Sequence, residues 1–199
     1  GLSFARIYWL DPEWVQGHLK DILTDDNWDI IWGTYLSWSR PSEALFGLLS
    51  KEGYYSKAIE LLDNTTDKLA NNLADHLVIA YFNGWITSYE NELLQQFLTK
   101  ASDELLAHAA DFFTTGFESF ARDYASKDKD TTQRLKDYWE KRLRDIEANS
   151  SSHERELQAL SSWVVNCPLS PDATLILIDR SRELYEGKLK NTRDFYESI

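Results

Sequence analysis

The chain has 199 residues, a formal net charge of −12, eight Trp, ten Tyr, nine Phe, no Met and one Cys. At 43% hydrophobic it can bury a core, and its aromatic content argues against disorder. The acidic balance argues against a nucleic-acid footprint, which needs a basic face, and against binding to anionic membrane.

Four Pro and eight Gly are few for a β-sandwich or a loop-rich fold. The single Cys, Cys167, allows no internal disulfide and sits on an apolar stripe, where it reads as a small buried hydrophobe. No secretory signal and no 18-residue apolar run is present, which predicts a cytoplasmic protein. The sequons at Asn64 and Asn149 fall in predicted loops and read as turn and capping residues. A start at Gly1 without any Met predicts a piece of a longer protein.

Residues 1–10 are apolar and read as a helix end. Asp11-Pro12-Glu13 is a helix start: a cap, then Pro in the first turn, then an acid on the dipole. The helix it opens carries Trp14, Val15, His18, Leu19 and Ile22 on one face. Asp25 and Asp26 open the next, with Trp28, Ile31, Trp32, Tyr35, Leu36 and Trp38, more apolar area than one stripe needs. Pro41-Ser42-Glu43 starts a short helix ending near Gly53, and Tyr54 to Leu62 forms another.

Asp63 to Thr66 is a turn before a helix from Asp67 to Phe82, which bears Leu69, Leu73, His76, Leu77, Ala80 and Tyr81. Asn83-Gly84 lacks alternating flanks, so it reads as a helix C-cap and not a hairpin turn. Trp85 to Leu98 is expected to resume as helix. Ser102-Asp103-Glu104 caps a long segment to about Ala125, with Phe112, Phe113, Phe117 and Phe120 on its apolar side and Gly116 inside it as a candidate kink.

A charged linker at residues 126–130 is a candidate sub-division of an otherwise single all-helical domain, residues 1–199. Lys136 to Pro168 then reads as a helical hairpin. Leu135, Tyr138, Trp139, Arg142, Leu143 and Ile146 form one stripe; Leu157, Leu160, Trp163, Val164 and Cys167 form the other. Asn149 to Ser152 is the elbow, Ser151 and Glu154 match a capping box, and Pro168 stops the second arm. Each arm carries one Trp, and Trp139 and Trp163 are expected to face each other and be buried. Ser170-Pro171-Asp172 starts a helix ending near Gly187, and a short terminal helix spans Thr192 to Ser198.

The sum is an all-α chain of about ten helices with starts every 15–25 residues. That rhythm fits a degenerate HEAT-like helical repeat, with an irregular helical bundle as the alternative. The residue patterns of tetratricopeptide and ankyrin repeats are absent.

Little in the sequence carries chemistry. None of His18, His76, His108 and His153 has an acid three residues before it, so di-iron pairs are missing; no zinc or phosphate-loop motif is present, and no metal or cofactor is predicted. Glu104, His108 and Asp111, at i, i+4 and i+7, are the weak catalytic candidates, since a carboxylate-tuned His can act as a base. A polar helix face explains the same spacing. His76 reads as a core His. Arg142 is expected in a cation–π contact or a buried ion pair with Glu156. The interrupted run Arg134, Lys136, Lys141, Arg142 and Arg144 reads as a solvated face. Trp28, Trp32, Tyr35 and Trp38 are either core or a binding groove, and with Glu43–Leu49 they are the candidate contact surface.

Tyr138-Trp139-Glu140-x-Arg142-Leu143, followed by Glu156-Leu157-x-Ala159-Leu160-x-x-Trp163, resembles the helical C-terminal regions of large bacterial proteins with sirtuin-like or NTPase domains. Several of these belong to anti-phage defence. The resemblance covers residues 135–185, with an echo in Trp28 to Pro41. It implies a recognition or assembly module beside an effector domain, with another protein or another domain as partner. No catalytic residue of such effectors maps here. The alternative is an enzyme or ligand-binding domain using Glu104, His108 and Asp111 or the Trp-bearing surface.

Overall fold

A computed structural model describes residues 2–123, 129–148, 153–164 and 169–197. Among the described residues there are eleven α-helices, three 3-10 turns and no strand. None of these helices is long and apolar enough to cross a membrane. The elements fall into two compact units: residues 1–80 with 92–100, and residues 81–91 with 101–199.

The first unit contains α1 (Leu2–Leu10), α2 (Pro12–Ile22), α3 (Trp28–Trp38), α4 (Glu43–Lys51), α5 (Tyr54–Glu60), α6 (Asp67–Phe82, to Ala80) and α7 (Glu92–Lys100). Helix α2 starts as its sequence dictates. Pro12 needs no amide donor at the first position, and the Trp14 amide donates to Asp11 Oδ1 at 2.9 Å. Before α3, the Thr24 amide donates to Asn27 Oδ1 at 2.9 Å and a 3-10 turn over Asp25–Asn27 leads in. Gly53 separates α4 from α5 at φ +81°, a left-handed conformation that costs Gly little. Helix α1 packs on α2 and α3, α4 packs on α5, and α5 packs on α7. Tyr35, Leu45, Leu49, Tyr55, Leu73, Leu77 and Phe97 fill the core.

The second unit contains the turns after α6 and then α8 (Asp103–Asp123), α9 (Lys129–Ala148), α10 (Glu154–Ser161) and α11 (Pro171–Glu197). Helix α10 packs on α8 and α11, and α11 packs on α9. The stripe Leu135, Tyr138, Trp139, Arg142, Leu143 and Ile146 of α9 is buried throughout. Trp163 follows α10 in a 3-10 turn and is also fully buried; its ring meets Trp139 edge to face at 5.5 Å. Both indole N–H groups are satisfied, Trp163 by the Ala110 carbonyl at 2.9 Å and Trp139 by Ser181 Oγ at 3.2 Å.

Two expectations are corrected. Residues 85–91 are not helical, and helix resumes only at Glu92. Gly84 takes φ +78° and stops α6, as its sequence suggests. Arg134 then seals the helix end, donating to the Phe82 carbonyl at 3.0 Å and to Thr131 Oγ1 at 2.7 Å. The chain beyond is anchored by buried Ile86 and Tyr89, and the Tyr89 hydroxyl donates to Asp145. Those tertiary anchors replace the helix ladder. The second correction is at the C-terminus, where α11 runs through Gly187 and Thr192 without a break. Gly187 has no positive φ, and one internal Gly costs a helix only about 1 kcal/mol. The readings placed on residues 126–128, on the Asn149–Ser152 elbow, on Cys167 and Pro168, and on the side chains of Phe117, Phe120 and Val164 lie outside the described residues.

Candidate interaction surface

Helix α3 is apolar nearly all round, and the fold sorts its aromatics into two sets. Trp28, Trp32 and Tyr35 point inward and are buried, while Trp38 is 67% exposed. Three of the four candidate binding residues are therefore core, because the α3 face they share packs into a cluster of rings. Trp28 stacks on Trp32 at 5.0 Å, and Trp32 meets Tyr55 edge to face at 5.1 Å. Phe4 of α1 meets Tyr35 edge to face at 5.8 Å. Lys57 lies over the Trp28 ring at 4.4 Å and pairs with Asp25 at 2.6 Å, which lowers the Asp25 pKa.

A buried hydrogen-bond chain fixes this cluster. His76 Nε2 lies 3.0 Å from the Ser39 carbonyl, an acceptor only, so Nε2 donates. Burial lowers the His76 pKa to about 4, so the ring is neutral near pH 7 and Nδ1 accepts. The donor to Nδ1 is the Tyr55 hydroxyl at 2.9 Å, and the Tyr35 hydroxyl in turn donates to Tyr55 at 3.2 Å. Burial pushes the Tyr35 phenol up to about 12 and raises Tyr55 well above its ordinary value, so both keep the protons this chain requires.

The outward side of the same helices carries apolar residues. On α3, Ile30, Thr34 and Trp38 are spaced i, i+4 and i+8, with Ile30 and Trp38 exposed. On α1, Trp9 is 80% exposed, beside an exposed Leu10. On α2, Trp14 is exposed and stacks on His18 at 4.5 Å. The sequence pattern puts Trp14 and His18 on one face of α2 with Val15, Leu19 and Ile22. Only Val15 and Leu19 are buried there, so that face is narrower than the apolar run suggested. Trp9 and Leu10 were missed as surface residues. The signal was an apolar run on α1 with more faces than its partners can cover.

The catalytic candidates Glu104, His108 and Asp111 all lie on α8. Exposed Glu104 pairs with Arg155 at 3.5 Å, His108 stacks on Phe112 at 6.4 Å, and Asp111 is exposed. A cavity of about 560 Å³ between α5 and α7, with Ile59, Glu60, Glu92 and Lys100 in its wall, includes none of them. Among the described residues, Asp103, His153 and Glu156 bring ligand-type atoms within 4.8 Å of one another. Their oxygens are already committed. Asp103 accepts the Arg155 and Glu156 amides at 3.1 Å each, and Glu156 accepts Arg142 Nε at 2.5 Å and Nη2 at 2.8 Å. A cation there would meet the Arg142 guanidinium and the positive end of α10, so the cluster reads as a helix cap joined to a buried ion pair.

No protein-family model, no curated protein and no solved structure matches this chain.

Proposed function

We propose that this chain is a protein-interaction module, a HEAT-like array of helices that works in the cytoplasm within a larger bacterial protein, in a defence role. The observation that carries the reading is the exposure of Trp9 and Trp38 on α1 and α3, two helices whose inward residues Phe4 and Tyr35 join a hydrogen-bonded aromatic core. Exposed large rings held on a stiff support are the usual anchors of protein interfaces. The resemblance of residues 135–185 to helical regions beside bacterial effector domains supports the same role. This reading assigns no part to Glu104, His108 and Asp111.

A photo-crosslinking residue placed at Trp9 or Trp38 tests the reading in living cells. A discrete protein adduct is expected at both positions and not at exposed Lys68. Adducts confined to lipid, or the same pattern at all three positions, would remove it.

A further inference from the structure

We infer that the outward surface of α1–α3 accepts a basic amphipathic helix of a partner protein, laid along the Ile30–Trp38 stripe of α3. The inference rests on the interaction reading above and adds the chemistry of the partner. Ile30 and Trp38 are eight residues apart, about 12 Å along the helix. That length matches two to three turns of an opposing helix with its own apolar residues at i, i+4 and i+8.

Charge selects which helix. Six exposed carboxylates between Asp11 and Asp29 stand against three exposed cations, Arg6, Lys20 and Arg40. Asp25, Asp26 and Asp29 gather at the N-terminal end of α3, and Lys57 offsets only Asp25. A partner with Lys or Arg flanking its apolar stripe meets complementary charge there, and its most basic end lies over Asp26 and Asp29. A second copy of this chain would instead bring acid to acid, with a net charge of −12 on each copy. Anionic bilayer is disfavoured by the same sign.

The probes are three 18-residue helical peptides with Leu on one face and Lys, Gln or Glu on the other. Binding to the full chain is followed by fluorescence anisotropy at low and raised salt. The Lys peptide is expected to bind about 10-fold tighter than the Gln peptide at low salt, and the Glu peptide least. Ile30→Ala with Trp38→Ala should weaken the Lys peptide about 10-fold with the helical circular dichroism unchanged, because both side chains are exposed. Asp26→Asn with Asp29→Asn should erase the preference for Lys over Gln. Equal binding of all three peptides that still depends on Ile30 and Trp38 would defeat the basic-partner inference and leave the interaction surface standing. Peptide binding indifferent to Ile30 and Trp38 would defeat both. So would no peptide binding alongside Trp38-dependent attachment to phosphatidylcholine vesicles or self-association in sedimentation.

Discussion

Trp139 and Trp163 meet edge to face, ring centroids 5.5 Å apart and planes inclined at 61°, and neither ring is accessible. Tyr138 stacks on Trp163 at 6.0 Å, and Phe113 meets it at 5.1 Å, so the second unit is built around one indole. Truncating either Trp to Ala should cost about 3–5 kcal/mol. Each truncation also removes an indole N–H donor, from the Ala110 carbonyl in Trp163→Ala and from Ser181 Oγ in Trp139→Ala. Urea or guanidinium denaturation measures both. A loss under about 1 kcal/mol would show that the rings do not form the core.

The Arg142–Glu156 pair makes a second prediction. Both side chains are buried, and two hydrogen bonds at 2.5 and 2.8 Å join them. Removing one partner strands a buried charge, so Arg142→Met or Glu156→Leu alone should cost about 3–5 kcal/mol. The double substitution should recover most of that loss, because it removes both desolvation costs and keeps the volume. A double variant as unstable as the sum of the singles would show that the pair contributes through something other than charge.

This pair and the Trp contact were legible in the sequence for one reason. Arg142 interrupts an otherwise apolar stripe at helical spacing, and a charge in that place needs a partner from the facing arm. The exposure of single aromatics was not legible. Trp28 and Trp38 sit on the same helix with the same chemistry, and only the packing of α1 and α5 decides which one is covered. Residues 85–91 defeated periodicity because Tyr89 is held by Asp145, 56 positions along the chain. The cap of α10 was equally hidden. The Arg155 and Glu156 amides at its start donate to Asp103, 52 residues before Arg155.

That distant cap can be tested directly. Asp103→Ala removes the acceptor of two amides at the α10 N-terminus and should destabilise the protein by about 1–2 kcal/mol. Asp103→Asn keeps one acceptor oxygen and should recover part of it. Hydrogen exchange gives the specific readout: the Arg155 and Glu156 amides should speed up in Asp103→Ala more than amides in the middle of α8. Uniform acceleration across α8 and α10 would mean that Asp103 acts on global stability and not as a cap.

The last prediction concerns acid. His76 is buried and neutral, and its folded pKa of about 4 lies below the ordinary histidine value of 6.5. Burial is the main cause; the hydrogen bond to the Ser39 carbonyl and the charge of Asp75 oppose it. The unfolded chain therefore binds a proton near pH 6.5 that the folded chain refuses until about pH 4. Between those values the unfolded state carries more protons, so stability falls as pH falls, and it is fully present only above the unfolded pKa. The loss attributable to His76 should approach 3 kcal/mol, as an order of magnitude. Carboxylates titrate in part of the same range, so the measurement is a difference. Wild type and His76→Gln are denatured at intervals from pH 4 to 7, and the stability of the variant is subtracted. The difference should shrink as pH drops through this window. Tyr55→Phe, which removes the Tyr55 hydroxyl from the Tyr35–Tyr55–His76 chain, should lower stability by about 1–3 kcal/mol at pH 7 and leave the His76 slope in place. A flat difference curve would mean that His76 protonates without opening the core, and that the hydrogen-bond chain beneath the α3 surface does not depend on a neutral ring.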